Sequence, residues 1–300
     1  MTITQSRSRP PHHGILVATE LGLMGADAVA VGDTLARDLC LPLVVAHVIS
    51  EGDAITPLLP HLHESVPYVE REAAAGVAVR HHVKQHAARR SNDFDVVLEH
   101  GAPDEALTRL TREIEPKVLV IGASRKGTLE HALLGSTAEQ ILRHAPCPVL
   151  VARRSLEDGP IVLGTDLTDP DLTAEQLAAF YARTLGRPLI LVHGLDVFRP
   201  LAAAFDPSTS VDARTTESLR AAAEALSQSC LERIGITARR TIDVGDPARL
   251  VIEEAERTGA ALVVLSSHGR EGMSRLAHGS TAEHVVRGAP CSVLVTHRGG

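Results

Sequence analysis

The chain has 300 residues and a mass of 31.9 kDa, about two ordinary domains and enough for two sizeable cores. Hydrophobic residues make up 44% and charged residues 22%, a globular composition, and with only 2% aromatics the cores must be built from Val, Leu, Ile and Ala. A net charge of -7 and the scarcity of rings argue against a nucleic acid or an anionic membrane as partner. No apolar run approaches the roughly 20 residues of a membrane span, the first thirteen residues hold no signal-like apolar stretch, and the scattered cysteines suit a reducing compartment, so a cytoplasmic chain is expected.

In chain order, residues 1–13 (MTITQSRSRPPHH) read as a disordered tail. GILVATE from Gly14 and LVVAHV are the first two strands. Residues 55–69 (ITPLLPHLHESVPYV) follow as a loop or a cover for a partner. His81, His82 and His86 fall on the second helix, with His61 and His63 upstream. An i, i+4 histidine pair can chelate zinc. No cysteine or carboxylate completes a signature here, so the reading is a solvated helix face with no metal. IGASRKG follows the fourth strand, a GST opens the fourth helix at Gly135, and PVLV is the fifth strand. A polar linker, residues 154–159, then leads to a second series.

That second series repeats the first. Gly135–Val151 reads GSTAEQILRHAPCPVLV and Gly279–Val295 reads GSTAEHVVRGAPCSVLV, identical at twelve of seventeen positions. HGAP at Gly101 answers VGDP at Gly245, GILVATE answers PIVLGTD, and LVVAHV answers LILVHG. The chain is therefore expected to hold two copies of one domain, at residues 14–153 and 160–297. In the second copy IVLGT, PLILVH, ARRTIDV, ALVVLS and SVLVTH are strands, and the segments between them have helical periodicity with Gly at each end. Alternating strands and helices imply α/β units: two tandem open five-stranded parallel sheets with helices on both faces.

Open sheets of this kind bind ligands beyond the carboxyl ends of their strands. Neither a GxGxxG nor a GxxxxGK[ST] follows the first strand, which disfavours a dehydrogenase or a P-loop enzyme. Instead, Gly269 follows the fourth strand and Gly279-Ser280-Thr281 opens a helix ten residues later. Glycine lets a phosphate approach the backbone, and a helix start offers unpaired N–H groups. The competing reading is an N-cap, with Glu283 as capping-box partner of Ser280. Ser267-His268 with Asp166 lacks a GxSxG elbow, and neighbouring side chains on an extended segment point apart, so no catalytic triad is expected. Cys40, Cys147, Cys230 and Cys291 have no CxxC spacing and read as buried reduced thiols, with redox sensing at Cys147 and Cys291 the lesser alternative.

The glycine loop before Gly-Ser, the APCPVLV-type final strand and the ILVATE first strand make both copies resemble the universal stress protein family, whose nucleotide motif is Gly, two residues, Gly, nine residues, then Gly-Ser or Gly-Thr. The resemblance implies a sheet of the adenine-nucleotide-binding type, with ATP as ligand, adenine near the ends of the first two strands and phosphates over the glycine loop. In the second copy it places Gly164, Thr165, Asp166, Gly194, Ser266, His268, Gly269, Gly279, Ser280 and Thr281 at the site. In the first it places Ala18, Glu20, Val48, Gly122, Arg125, Gly135, Ser136 and Thr137 there, more weakly. Arg125 stands for the second glycine of the motif, Glu20 for an Asp, and Ser266 for the first glycine of the second copy. The second copy is thus the expected ATP site. The resemblance also implies pairing of the copies through their last strands as a pseudo-twofold, and leaves room for homodimers. No general base or carboxylate cluster for Mg²⁺ is evident, so at most slow ATP hydrolysis is expected. The alternative is an interaction scaffold with degenerate pockets.

Overall fold

The structure, a computed structural model, describes residues 11–49, 68–87, 93–123, 135–153, 156, 158–195, 213–267 and 281–297. Along the first repeat run β1 (Ile15–Ala18), α1 (Leu23–Asp38), β2 (Leu43–Ile49), α2 (Tyr68–His86), β3 (Phe94–His100), α3 (Pro103–Ile114), β4 (Val118–Gly122), α4 (Ser136–His144) and β5 (Val149–Ala152). Along the second run β6 (Ile161–Gly164), α5 (Thr173–Thr184), β7 (Leu189–Leu195), α6 (Ala213–Ile234), β8 (Ala238–Val244), α7 (Pro247–Thr258), β9 (Leu262–Ser266), α8 (Thr281–Gly288) and β10 (Ser292–Thr296). Every strand expected in the second repeat is present. Among the described residues no helix is long and apolar enough to cross a membrane.

Contacts divide the chain into two compact units, the first of residues 1–122 with 144–147, the second of residues 123–143 with 148–300. In the first unit the strand order is β3-β2-β1-β4, all parallel. In the second it is β10-β9-β6-β7-β8, again all parallel. Strand β5 belongs by its contacts to the second unit, where it lies antiparallel on β10 with Leu150 opposite Leu294. The strands of each unit are covered on two faces, which explains why strand interiors such as Ile15, Leu16, Leu119, Val120, Ile161 and Leu163 are wholly buried without alternation.

Helix boundaries follow local chemistry. Helix α3 starts with Pro103 at its first turn and buries Ala106, Leu107, Leu110 and Ile114, an i, i+4 stripe that faces the sheet. Helix α7 likewise starts with Pro247, and the Asp246 carboxylate accepts from Arg249 N at 2.8 Å. Gly186, Gly235 and Gly259 end α5, α6 and α7 in left-handed backbone, as the sequence predicts. Gly288 differs: it is the last residue of α8 and has no positive φ, and the nearest atom to a Cβ there would be the movable Ile252 Cδ1. Cys40 also departs from expectation. It is exposed, in left-handed backbone just beyond α1, while Cys147, Cys230 and Cys291 are buried.

Gly122, at the end of β4, is fixed by its neighbour. A Cβ there would overlap the Met24 carbonyl oxygen of α1, a backbone atom that cannot swing away. Gly122→Ala is expected to destabilise the first unit by about 1–3 kcal/mol, the usual cost of overpacking. Gly22→Ala, where the nearest atom is the flexible Glu20 carboxylate, should change stability by no more than about 0.5 kcal/mol. Urea unfolding of the two variants checks the difference.

Candidate functional site

The carboxyl end of the first strand carries the same turn in both units. In the second unit Thr165 N donates to Val192 O, continuing the β6–β7 ladder. The chain then turns. Leu167 N donates to Thr165 Oγ1 at 3.0 Å, and Leu167 takes a left-handed φ of 60°. The first unit matches: Thr19 N donates to Ala46 O, Leu21 N to Thr19 Oγ1 at 3.1 Å, and Leu21 has φ 64°. Each threonine carbonyl is taken up by a histidine one strand over. His47 Nδ1 lies 2.8 Å from Thr19 O, and His193 Nδ1 2.8 Å from Thr165 O. A carbonyl only accepts, so Nδ1 carries the proton in both.

This turn presents the acidic residue. Asp166 Oδ1 accepts from Thr168 N at 3.0 Å, while Oδ2 is buried with no partner among the described residues. Behind it, the Asp169 carboxylate accepts from Asp171 N at 3.1 Å and from Thr173 N, the first residue of α5, at 3.0 Å. Arg233 of α6 ties the loop down through Pro170 O at 2.9 Å. Glu175, in the first turn of α5, is fully enclosed and its Oε1 accepts from the Thr165 hydroxyl. Burial holds the Glu175 carboxyl above the usual carboxylate range, with the Thr165 bond acting against it.

The adjoining strand ends bring several predicted residues together. Gly164 pairs with Val192 and Leu265, which sets Thr165 and Asp166 beside Gly194 on β7 and Ser266 on β9. In the first unit Ala18 pairs with Ala46, Val48 is the penultimate residue of β2 and Gly122 the last of β4, with Glu20 exposed on the turn. Two of the glycines have packing reasons of their own. A Cβ at Gly194 would meet Pro247 Cα at 2.8 Å, and Gly122 is held by Met24. Gly135, not Ser136, caps α4, since Glu139 N donates to Gly135 O at 3.0 Å. Ser136 and Thr137 therefore occupy the first helical positions. Thr281 is exposed at the start of α8. Arg125, His268, Gly269, Gly279 and Ser280, with His61, His63 and residues 55–67, lie outside the described residues; Tyr68 and Val69 open α2.

Other sequence readings change. His82 is buried against α1, not on a solvated face, and of the histidines on that helix only His81 and His86 are exposed. The His82 and His86 rings lie 4.7 Å apart, yet among the described residues no three metal-binding side chains converge. Burial pushes the Cys147 thiol up to about 12, which removes the thiolate that redox sensing needs. Sequence reasoning missed Thr19, His47, His193, Asp169 and Glu175. For the first three a signal was present, since Thr-x-Leu and the strand-two histidine recur at one constant spacing in both repeats.

The sequence model of the universal stress protein family matches this chain twice, at residues 12–153 and 159–297. The chain belongs to the universal stress protein family. It is a tandem member, two family domains in one polypeptide. It is 26% identical over 294 residues to universal stress protein Rv2005c of Mycobacterium tuberculosis, covering 95% of this chain and 97% of that one. A universal stress protein of Mycolicibacterium smegmatis is 27% identical over 294 residues, covering 93% and 97%. The fold is shared with a universal stress protein of Archaeoglobus fulgidus, with a TM-score of 0.67 at 18% identity over 95% of this chain and 98% of that chain. A protein of unknown function from Pseudomonas aeruginosa PAO1 superimposes with a TM-score of 0.63 at 16% identity, over 95% and 92%.

His82 is expected to make the first unit acid-sensitive. Burial chiefly, and then His86, His47 and His81, lower its pKa from 6.5, against a backbone hydrogen bond to Gly25. A group that binds its proton less readily when folded contributes stability that is present above pH 6.5 and lost as pH falls through the lowered folded value. Thermal unfolding between pH 7.5 and 5 should therefore show a falling midpoint, and His82→Gln should lose less over that range. An equal loss in the variant would assign the acid sensitivity elsewhere.

Proposed function

We propose that this universal stress protein is a nucleotide-binding module whose second repeat, residues 160–297, holds ATP. The observation that carries the reading is the strand-end turn of the second unit. There the chain fixes Asp166 rigidly and leaves Oδ2 buried with no partner among the described residues. A buried carboxylate oxygen is costly unless something donates to it, and the amine or hydroxyl edge of a nucleoside is such a donor. The first repeat, residues 14–153, has Glu20 exposed at the matching position and Gly122 pressed against α1, so it is the weaker site.

In this reading ATP is a ligand and not a substrate turned over rapidly. Both Asp169 oxygens accept backbone N–H groups, from Asp171 and from Thr173, which gives that carboxylate a structural role at the start of α5. Slow hydrolysis is the most that the described residues support. The antiparallel register of β5 on β10 supports pairing of the two repeats through their last strands. A further homodimer and a cytoplasmic setting belong to the same proposal. The packing reasons found for Gly122 and Gly194 favour a second reading, an interaction scaffold that has kept the fold and lost the ligand.

Calorimetric titration with ATP separates the two. The parent chain should bind one nucleotide. Asp166→Ala and Gly279→Val should each weaken binding by at least about tenfold, one lost charge-assisted contact or one blocked backbone approach. Heat-free titration of a folded parent chain would favour the scaffold.

A further inference from the structure

The two strand-end turns share a backbone and differ in what stands behind the threonine. In the first unit Thr19 Oγ1 faces Gly25, where a Cβ would overlap it, and the His82 Nε2 lies next to the same spot. In the second unit the place behind the threonine is taken by a carboxylate. Thr165 donates its hydroxyl hydrogen to Glu175 Oε1 at 2.5 Å while accepting from Leu167 N. Glu175 is 1% exposed, and its Oε2 is buried without a partner among the described residues. The nucleotide reading makes no use of this side chain.

A hydroxyl has one hydrogen to give and two lone pairs to receive. With Glu175 ionised, the carboxylate only accepts, so the Thr165 hydrogen is committed to it. With Glu175 protonated, the carboxyl donates its hydrogen to Thr165 Oγ1. Both lone pairs of Oγ1 are then filled, by Glu175 and by Leu167 N, and the Thr165 hydrogen is released from the carboxylate. The same proton removes a negative charge from behind Asp166, the residue that the nucleotide reading places against the ligand.

We propose that Glu175 is a positioning residue through which proton uptake strengthens binding of an anionic nucleotide at the second unit, by releasing the Thr165 hydroxyl and discharging the wall behind Asp166. The inference rests on the nucleotide reading for its ligand, while the coupling of Glu175 to the turn stands on the geometry. The groups facing Glu175 are Asp166 and Asp169 on the β6–α5 loop, His193 on β7 through the Thr165 carbonyl, and Cys230 on α6, where Arg233 also acts on Cys230. Burial and the two aspartates favour the protonated form, against the Thr165 bond and the residue's own backbone N–H. In the first unit the buried group is an imidazole, which gains charge where Glu175 loses it, so the coupling belongs to the second unit alone.

The test uses the full chain and two readouts. Calorimetric titration with ATP at pH 8 and pH 5.5 should show affinity rising about three- to tenfold more in the parent than in Glu175→Gln, which keeps an acceptor for Thr165 and cannot titrate. The same slope in both chains would overturn the proposal. In the ligand-free parent, the Leu167 amide resonance should follow a single titration that Glu175→Gln removes. An amide that does not move with pH would overturn the coupling even if the variant failed to fold. Should ATP bind at no pH while Leu167 titrates, the nucleotide reading falls and the coupling of Glu175 to the turn stands.

Discussion

A parallel strand that ends beside its neighbour leaves a carbonyl with no ladder partner, and here a histidine ring takes it up. The bond from His47 to Thr19 O and that from His193 to Thr165 O have the same length, 2.8 Å, and span the same 28 residues. Each anchors the last backbone group of the first strand to the second strand. The turn that follows depends on that anchor, because the threonine hydroxyl reaches Leu21 N or Leu167 N only when its own backbone is held in place. The left-handed leucine follows from the turn, and the direction of the acidic residue between threonine and leucine follows from the leucine. An unpaired carbonyl at this depth would cost about 1–3 kcal/mol, so the histidine also removes a penalty.

From this common turn the two units diverge through loop length. Four residues, 19–22, separate β1 from α1, whereas eight, 165–172, separate β6 from α5. The short connection drives the start of α1 onto the end of β4, and Gly122 is required because Met24 O occupies the space a side chain would need. The longer connection carries an acceptor for the first N–H of α5 at Asp169 and a tether at Arg233, and Ser266 is accommodated where Gly122 stands in the first unit. It also places a carboxylate, Glu175, where the first unit buries His82 beside the glycine of α1. One ancestral turn thus sits in front of a basic group in one unit and an acidic group in the other.

Much of this was legible in the amino-acid sequence. The repeat, the strands and the glycine helix ends are written in local patterns: a constant offset, runs of β-branched residues, and Gly after a helical period. What escaped the reading depends on which side of a helix meets the sheet. His82 reads as a solvated partner of His86, and only the packing of α2 against α1 shows that it is enclosed. Glu175 reads as an ordinary first-turn acid of a helix, and its bond to a strand ten residues earlier is a tertiary fact. Cys40, far from the other cysteines and with no CxxC partner, reads as a buried thiol, yet it lies exposed in the left-handed turn after α1. Gly122 reads as a phosphate contact, and its packing role becomes visible once Met24 is in place.

The second unit is proposed to hold the nucleotide, with the first as the weaker site. Denaturing extraction of the freshly purified chain, followed by chromatographic quantification of released adenine nucleotide after saturation and desalting, tests it most directly. Close to one nucleotide per chain is expected, falling to none in Asp166→Ala. Two per chain would contradict the assignment to one unit, and none from the parent chain would contradict nucleotide binding itself.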